Sequence, residues 1–350
     1  MSVGPAETAR EPGTRVPQIA DSAVVIGAAH FGEGSLLAQG AVVRSAGACV
    51  DVGAGSAVLE NSVVVGNPRI PTTIGRRSTF GHRCIVVGAT VGDLCEIGNA
   101  SILMPGARLG DRVFLGEGTL VPTGMSLPDD VVAVGRPARV VRTASADDLR
   151  RLAGLRDGDL SIPPHTTVTV PSTQETSLMG QLYAYRGVVP RVATSATLFP
   201  TAELTGDVVV GERTIIGAGV KIIGDSHGPV RIGDDVQILE NTVLHLLPDN
   251  DLIVHDGVII GPGAMIHGCR IGASSVIEPG AIVCDHSEVG AGCVVRAGAV
   301  VKQRTHFDDG TDIDGFPAVA VGRLSEPPAV PAWAWPRDEL PTATTTNEAR

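Results

Sequence analysis

Aromatic residues are scarce in this sequence. Phe, Tyr and Trp together make up 3% of the 350 residues, while the wider hydrophobic set reaches 43%. Aromatic rings dominate the energetics of an ordinary globular core, so this interior has to be built mainly from Val, Ile, Leu and Ala. The shortage therefore predicts a narrow core of small aliphatic side chains, in which a ring would be too large.

Long apolar runs and an excess of positive charge are also missing. No apolar run approaches the roughly 20 residues that span a bilayer, and the formal net charge is -11. Such an acidic protein is a poor partner for nucleic acid or for an acidic membrane surface. The first residues, MSVGPAETAREPGTR, contain no apolar signal region, and this predicts a cytoplasmic location.

Closely spaced cysteine pairs are a third absence. None of the six cysteines belongs to a Cys-x-x-Cys pair, and several stand where a small buried residue is expected. This distribution favours buried, reduced thiols over disulfides or metal ligands. The six are Cys49, Cys84, Cys95, Cys269, Cys284 and Cys293.

An aliphatic residue recurs at every sixth position over long stretches of the chain. This period fits neither the 3.6 residues of a helical turn nor the simple alternation of a strand. It is typical of a parallel β-helix, in which each hexad forms one short side of a triangular turn with its aliphatic residue pointing inward. Gly or Asn would occupy the corners, where φ can be positive. The C-terminal series is Ile259, Met265, Ile271, Ile277, Val283, Val289, Val295 and Val301, and the N-terminal series is Ile85, Val91, Ile97, Leu103, Leu109, Leu115 and Val121.

The two halves of the chain are copies of each other. A constant offset pairs Val65 with His245, His82 with Pro262, and Val87 with His267, and the offset is one residue shorter before the first of these pairs. The sequence therefore predicts an all-β fold of two tandem left-handed parallel β-helices, with a short flanking helix after the first.

The domain boundaries follow from composition. We expect a disordered N-terminus over residues 1–16, a first β-helix domain with its helix over 17–156, a linker over 157–187, a second β-helix domain over 188–324 and a tail over 325–350. Ser145 and Asp148 form a capping-box pattern, which predicts a short helix packed on the flank of the first coil. Trp333 and Trp335 would clip the tail onto a coil, or alternatively cover a pocket.

Three segments that contain histidine carry a family resemblance. They read ENTVLH, ending at His245, MIHGC around His267, and TFGHRC around His82. With the period of six, they resemble the gamma-class carbonic anhydrases, which are trimeric left-handed β-helix enzymes. In that family one subunit gives two histidines to a zinc ion and its neighbour gives the third. The resemblance makes His245 and His267 the pair from one half of this chain.

The resemblance also implies that the third ligand comes from the other half. The family's middle histidine is Pro262 in the C-terminal half but is retained as His82 in the N-terminal half, which has Val65 and Val87 in place of the other two. The Arg–Asp pair of the family divides in the same way, because Arg44 survives in one half and Asp225 in the other. We therefore expect one interface between the halves to hold Arg44, Asp225, His82, His245 and His267, with Arg44 and Asp225 as catalytic residues.

Three imidazoles with an open fourth position are typical of a catalytic zinc site, although iron or cobalt would also suit them. The resemblance thus implies a metal-dependent lyase or hydrolase of the gamma-carbonic anhydrase type. It would hydrate, hydrolyse or cleave a small carbonyl substrate in a homo-oligomer, with a trimer as one option. CO2 remains a candidate substrate, but Leu59 and Leu239 replace the glutamine that the family places near the zinc-bound water.

Two other functions remain open. Hexapeptide-repeat acyltransferases share the coil, and GRPARVV at residues 135–141 resembles their exit segment, so an acyltransferase is one alternative. A non-catalytic, carbonic anhydrase-like scaffold is the other, and the absence of bound metal in the folded protein would favour it.

Overall fold

The structure, a computed structural model, describes residues 16–173, 180–225, 228–336 and residue 340. It contains two parallel β-solenoids, as the six-residue period predicts, together with one short α-helix. Residues 1–15 of the N-terminus predicted to be disordered lie outside the described residues. No helix in the described ranges is long and apolar enough to cross a membrane.

The first solenoid, called here the N-solenoid, has three sheets named A, B and C. Sheet A contains Gln18–Ile19, Leu36–Leu37, Ala57–Val58, Thr79–Phe80, Glu96–Ile97, Phe114–Leu115, Val131–Val134 and Arg139–Thr143; sheet B contains Val24–Ile26, Val42–Ser45, Val63–Gly66, Ile85–Val87, Ile102–Leu103 and Leu120–Val121; sheet C contains Ala29–Gly32, Val50–Val52, Thr72–Ile74, Thr90–Val91, Arg108–Leu109, Ser126–Leu127 and Thr167–Val170. All neighbours pair in parallel except for the last pair in sheet A and the pair that Thr167–Val170 forms with Ala29–Gly32.

The second solenoid, the C-solenoid, repeats this plan in sheets A′, B′ and C′, each the copy of the sheet with the same letter. Sheet A′ contains Thr197–Leu198, Ile215–Ile216, Gln237–Ile238, Ile259–Ile260, Val276–Ile277, Val294–Val295, Thr311–Gly315 and Ala318–Arg323; sheet B′ contains Gln181–Tyr183, Glu203–Gly206, Lys221–Gly224, Val243–His245, Met265–His267, Ile282–Val283 and Val300–Val301; sheet C′ contains Arg191–Val192, Val208–Val210, Val230–Ile232, Leu252–Val254, Arg270–Ile271, Glu288–Val289 and His306–Phe307. The two strands at the end of sheet A′ are antiparallel.

Most predicted inward positions line the core of each solenoid, but three do not. From Ile271 to Val301 the predicted aliphatic series is buried inside the C-solenoid. Ile85, Ile259 and Met265, however, point outward, and the next residue in each case, such as Val86 or Ile266, faces the core. The prediction of inward orientation is wrong at these three positions because the corner after these strands of sheets B and B′ is one residue shorter than elsewhere. A spacing of six counted back across this corner therefore falls one residue before the core position. The six-residue period of aliphatic residues does not show whether a row of side chains faces the core or the outer surface of a sheet.

The predicted short helix is confirmed. Helix α1 spans Ala146–Gly154 and begins with the capping box, in which the Ser145 hydroxyl accepts from the Asp148 N–H and the Asp148 carboxylate accepts from the Ser145 N–H. Leu152 buries against the N-solenoid. Just after the helix, Arg156 donates to Glu96 in sheet A at 2.5 Å, so α1 is held along the flank of that sheet. A 3-10 turn at Ala46–Ala48 is the other helical element described.

The segment predicted to be a linker contributes a strand to each solenoid. Thr167–Val170 pairs with the edge of sheet C, and Gln181–Tyr183 is the first strand of sheet B′. The first of these strands alternates Thr and Val, as a strand can, but the composition of the segment does not distinguish it from a loop.

The two solenoids pack side by side through sheet B and sheet A′. The Asn241 side chain, at a corner of the C-solenoid, donates to the carbonyls of Gly40 and Asn61 at 3.0 and 3.1 Å. Because sheet B contacts the copy of sheet A rather than its own copy, the contact joins two different surfaces. The buried cluster includes Val24, Val42, Val63, Ile85 and Ile102 from sheet B with Ile215, Ile259, Val276 and Val294 from sheet A′.

The C-terminal tail is clamped between the solenoids. Trp333 and Trp335 are 3% and 5% exposed. The Trp335 ring stacks on Phe199 with centroids 5.1 Å apart, and its backbone N–H and C=O both bond to the side chain of Gln237. On the other side, Asn67 of the N-solenoid donates to the carbonyl of Ala332. The expected clip is therefore present, and it fastens the tail to both solenoids.

Candidate metal site

His245 and His267 lie next to each other on the outer face of sheet B′. They end neighbouring strands and are register partners, so the parallel ladder places one ring above the other. Nδ1 of His245 stands 3.1 Å from Nε2 of His267. Both side chains are partly exposed. The structure thus brings together two of the three predicted metal ligands with ring nitrogens that converge.

Asp285 orients the ring of His267. The carboxylate lies one solenoid turn further along, with Oδ2 2.7 Å from Nδ1 of His267, and its side chain is 5% exposed. Asn250 donates to the other carboxylate oxygen at 3.2 Å. Burial alone would raise the pKa of Asp285, but the hydrogen bond and charge of His267 and the Asn250 amide hold it below its ordinary value. An ionised carboxylate can only accept, so this contact places a proton on Nδ1 of His267 and leaves Nε2 facing His245.

Asp225, predicted to be catalytic, lies beside His245. Its Oδ2 is 3.6 Å from Nε2 of His245, which is beyond ordinary hydrogen-bonding distance. The carboxylate follows the strand Lys221–Gly224 of sheet B′, one turn before the histidine. Asp225 is therefore close enough to act on a group bound at the histidine pair.

His82 lies at the corner between sheets A and B and has a different partner. Its Nδ1 is 2.7 Å from Glu60 Oε2, and its side chain is 55% exposed. Among the residues that the structure describes, no three His, Cys, Asp or Glu side chains lie close enough to hold a metal ion. His82 is therefore not gathered with His245 and His267 within a single chain.

Arg44 lies in the contact between the solenoids. Its Nε is 2.6 Å from Oε1 of Glu240, with the two side chains 3% and 0% exposed. The guanidinium also donates to the carbonyl of Trp333 at 2.7 Å and lies over the Trp335 ring, 4.9 Å from its centroid. Arg44 therefore pairs with Glu240, and the predicted pairing with Asp225 is replaced by this buried one.

The copy of the histidine pair is buried and apolar. Val65 and Val87, the counterparts of His245 and His267, are both fully buried in the contact between the solenoids. The corner that holds Pro262 packs against the strand Ile85–Val87. The neighbouring Gly263 is so close to this strand that an added Cβ would lie 2.6 Å from Cδ1 of Ile85. Val65, Val87 and the corner of Pro262 therefore lie together in the contact inside the chain.

The described donors fit two ligands of a tetrahedral metal ion. Two nitrogens at about 2.0–2.1 Å from one such ion stand about 3.3 Å apart, close to the 3.1 Å between the imidazoles. A carboxylate on the far nitrogen of a ligating histidine is the usual supporting contact, and Asp285 provides it. His245 and His267 could therefore hold a metal ion together with further ligands from outside this group.

Sequence reasoning missed Asp285 and Glu240. Asp285 follows His267 by one turn of the solenoid, so stacking the sequence turn by turn would have placed the carboxylate beside the imidazole. Glu240 carries a weaker signal. It is the counterpart of Glu60, which pairs with His82, and only the packing of the two solenoids shows that it meets Arg44.

Comparison with known proteins shows the family. The family model described as "Bacterial transferase hexapeptide (six repeats)" matches residues 268–303, and "Hexapeptide repeat of succinyl-transferase" matches residues 71–105. A "Carbonic anhydrase" of Geobacillus kaustophilus (strain HTA426) is 37% identical over 145 residues, which are 41% of this chain and 79% of that protein. The chain belongs to the hexapeptide-repeat family of gamma-class carbonic anhydrase-like proteins.

Other proteins similar to this chain have different names. The "Carnitine operon protein CaiE" of Escherichia coli (strain K12) is 32% identical over 144 residues, which are 41% of this chain and 73% of that protein. A solved structure described as a "hexapeptide transferase family protein from Anaplasma phagocytophilum" is 28% identical, covers 42% of this chain and 86% of that chain, and has a TM-score of 0.40. Most of the length of the Geobacillus and Escherichia proteins corresponds to less than half of this chain, in keeping with the internal duplication.

Proposed function

We propose that this protein is a zinc-dependent enzyme of the gamma-carbonic anhydrase type that acts on a small carbonyl compound by hydration, hydrolysis or lyase chemistry. One observation carries the proposal, namely the convergence of Nδ1 of His245 and Nε2 of His267 with Asp285 behind the second ring. When bound there, zinc would supply the Lewis acidity that activates water near neutral pH. Iron or cobalt would suit the same imidazoles.

The third ligand in this proposal is His82 from another copy of the chain. His82 is exposed at a corner of the N-solenoid and is free of the contact between the solenoids. Its pairing with Glu60 would fix the imidazole through Nδ1 and leave Nε2 for the metal.

Asp225 is the proposed polar group beside the site. As an acceptor near His245, its carboxylate can orient a substrate hydroxyl or a water molecule and can accept a proton from it. Arg44 is buried against Glu240 and the tail, so we assign it to holding the solenoids together rather than to contact with substrate.

Metal content tests the proposal. The full-length chain is purified without chelator, resupplied with zinc, dialysed and measured by elemental analysis. We expect about one metal ion per chain, lost in His245→Ala, His267→Ala and His82→Ala. His306→Ala is the matched control, since His306 is 62% exposed and also pairs with a carboxylate, and this variant should keep the metal.

Each result has a defined reading. A folded wild-type chain without metal after zinc resupply would remove the zinc-enzyme proposal and leave the scaffold or the acyltransferase. Retention of metal in His82→Ala, with loss in the other two variants, would show that the third ligand is a different residue. A metal-dependent CO2-hydration rate would identify CO2 as the substrate, whereas its absence directs the search to other carbonyl compounds.

An acyltransferase is the second candidate. Both matching family models are named after transferases. Thermal stabilisation of the chain by acetyl-CoA, absent with zinc alone, would favour this candidate.

A further inference from the structure

A row of outward-facing positions on sheet B′ continues beyond the histidine pair. His245 and His267 are register partners, and the pairing of the next two strands extends the row to Cys284 and then to Lys302. The residue before each member faces the core, so all four lie on the outer side of the sheet. Neighbouring parallel strands are about 4.8 Å apart, which places Lys302 about 10 Å from His267 along the row.

The copy of this row in the N-solenoid is apolar throughout. Its members, in the same order, are Val65, Val87, Met104 and Pro122. The first three are buried in the contact between the solenoids. Met104 and Pro122 nevertheless line a cavity of about 380 Å³ that the packing leaves open. The row of sheet B′ therefore ends at Cys284 and Lys302, where the equivalent contact leaves room for a small molecule.

The last member of the row is a cation without a carboxylate partner. The chain has two lysines, of which Lys221, also in sheet B′, lies 2.5 Å from Glu203. Lys302 and the nearby Arg304 are exposed, and within the described ranges neither forms an ion pair. The counterparts of these two cations are Pro122 and Gly124. Two uncompensated cations in a chain with a net charge of -11 favour an anionic ligand.

We propose that the substrate of the metal site carries a carboxylate, which Lys302 binds with Arg304 beside it. This assignment rests on the proposed function, in which His245 and His267 present the metal ion to the carbonyl group. The four-carbon stem of the lysine shortens the gap along the row, so the carbonyl and the carboxylate would be about four to six bonds apart.

Cys284 leaves space between the two ends of such a substrate. It is partly exposed and smaller than Met104, its counterpart in the buried copy, so a short carbon chain can lie over it. Lys302 takes no part in making or breaking bonds. It determines specificity, because it selects carbonyl compounds that are also short organic acids.

Protection of the two lysines from acetylation tests the assignment. The zinc-loaded full-length chain is treated with limiting acetic anhydride, with or without glutarate, whose two carboxylates match the proposed separation. Mass spectrometry reads the modification at each lysine. Glutarate at several times its Kd should slow acetylation of Lys302 at least about fivefold and leave Lys221 unchanged. Butyrate, which lacks the second carboxylate, should protect neither lysine.

Calorimetric titration of variants tests the same contact without labelling. Wild type should bind glutarate more tightly than butyrate, and Lys302→Met should remove this preference by weakening glutarate about fivefold. Lys221→Met is the matched control and should keep the preference. Unchanged glutarate binding by Lys302→Met, with native circular dichroism and full zinc content, would overturn the proposal.

The zinc content of the same samples separates this proposal from the proposed function. Full zinc content without a preference for glutarate would overturn the carboxylate assignment alone. A chain without zinc in which glutarate still protects Lys302 would remove the metal enzyme and support the anion site. A chain that shows neither zinc nor protection would remove both.

Discussion

The ion pair of Arg44 and Glu240 lies inside a contact that is otherwise largely apolar. With side chains 3% and 0% exposed, removal of one partner leaves the other charge buried without compensation. We expect Arg44→Ala to lower the free energy of unfolding by about 3–5 kcal/mol, measured by urea denaturation. Arg150→Ala removes a comparable side chain from a pair that is 71% and 83% exposed and should change it by less than about 1 kcal/mol.

The matched double variant separates a buried charge from lost packing. If Arg44→Met with Glu240→Leu is nearer to wild type than Arg44→Met alone, the cost lies in the unpaired carboxylate. Equal losses in these two variants would show that the cost lies in the guanidinium contacts with Trp333 and Trp335, which both variants lack.

The family resemblance predicts the pair of histidines, and the structure places His245 and His267 side by side on neighbouring strands. The predicted third ligand, His82, stays a prediction. His82 and Arg44 depend on how one solenoid meets the other, and a repeat carries no information about which of its faces are used. Ile85 and Ile259 were predicted to face inward for the same reason, since an aliphatic residue suits a core and an interface equally well.

Among the elements, the tail is the one that joins parts of the molecule far apart in sequence. Trp335 stacks on Phe199, covers Arg44 and is anchored through Gln237. We expect Trp335→Ala to lower the free energy of unfolding by about 3–5 kcal/mol, because it leaves a cavity between the solenoids. Val330→Ala in the same tail, at a residue 67% exposed, should cost less than about 0.5 kcal/mol. Equal effects of the two variants in thermal or urea unfolding would contradict the clamp.

A sequence motif predicts an element when the residues that stabilise the element lie close together in the sequence. The capping box at Ser145 and Asp148 predicts α1 because both groups lie within one turn of the chain. The strand Thr167–Val170 is different, since it exists only where the edge of sheet C offers hydrogen bonds to it. A stretch read as a linker can therefore become a strand wherever the fold leaves an edge unpaired.

At the scale of the whole molecule, the two halves carry different residues at equivalent positions. In the contact inside the chain, Val65 and Val87 stand at the positions equivalent to His245 and His267. Pro262 stands there at the position equivalent to His82. A contact that stays closed gains from apolar side chains, because desolvated imidazoles without a metal ion would be costly there. His82, His245 and His267 lie outside that contact and are exposed or partly exposed.

Restoring the lost ligands tests this account of the internal contact. In a His245→Ala background, which should bind no metal, the triple change Val65→His, Val87→His and Pro262→His is expected to restore about one metal ion per chain, as read by elemental analysis and by zinc-dependent thermal stabilisation. Val65→His with Val87→His alone supplies only two imidazoles and should bind zinc at least tenfold more weakly. If the triple variant folds and stays metal-free, sheets B and A′ do not meet as metal-binding surfaces do in the family. Metal bound with Pro262 still in place would instead show that two strand histidines suffice, which would weaken the need for His82 in the retained site.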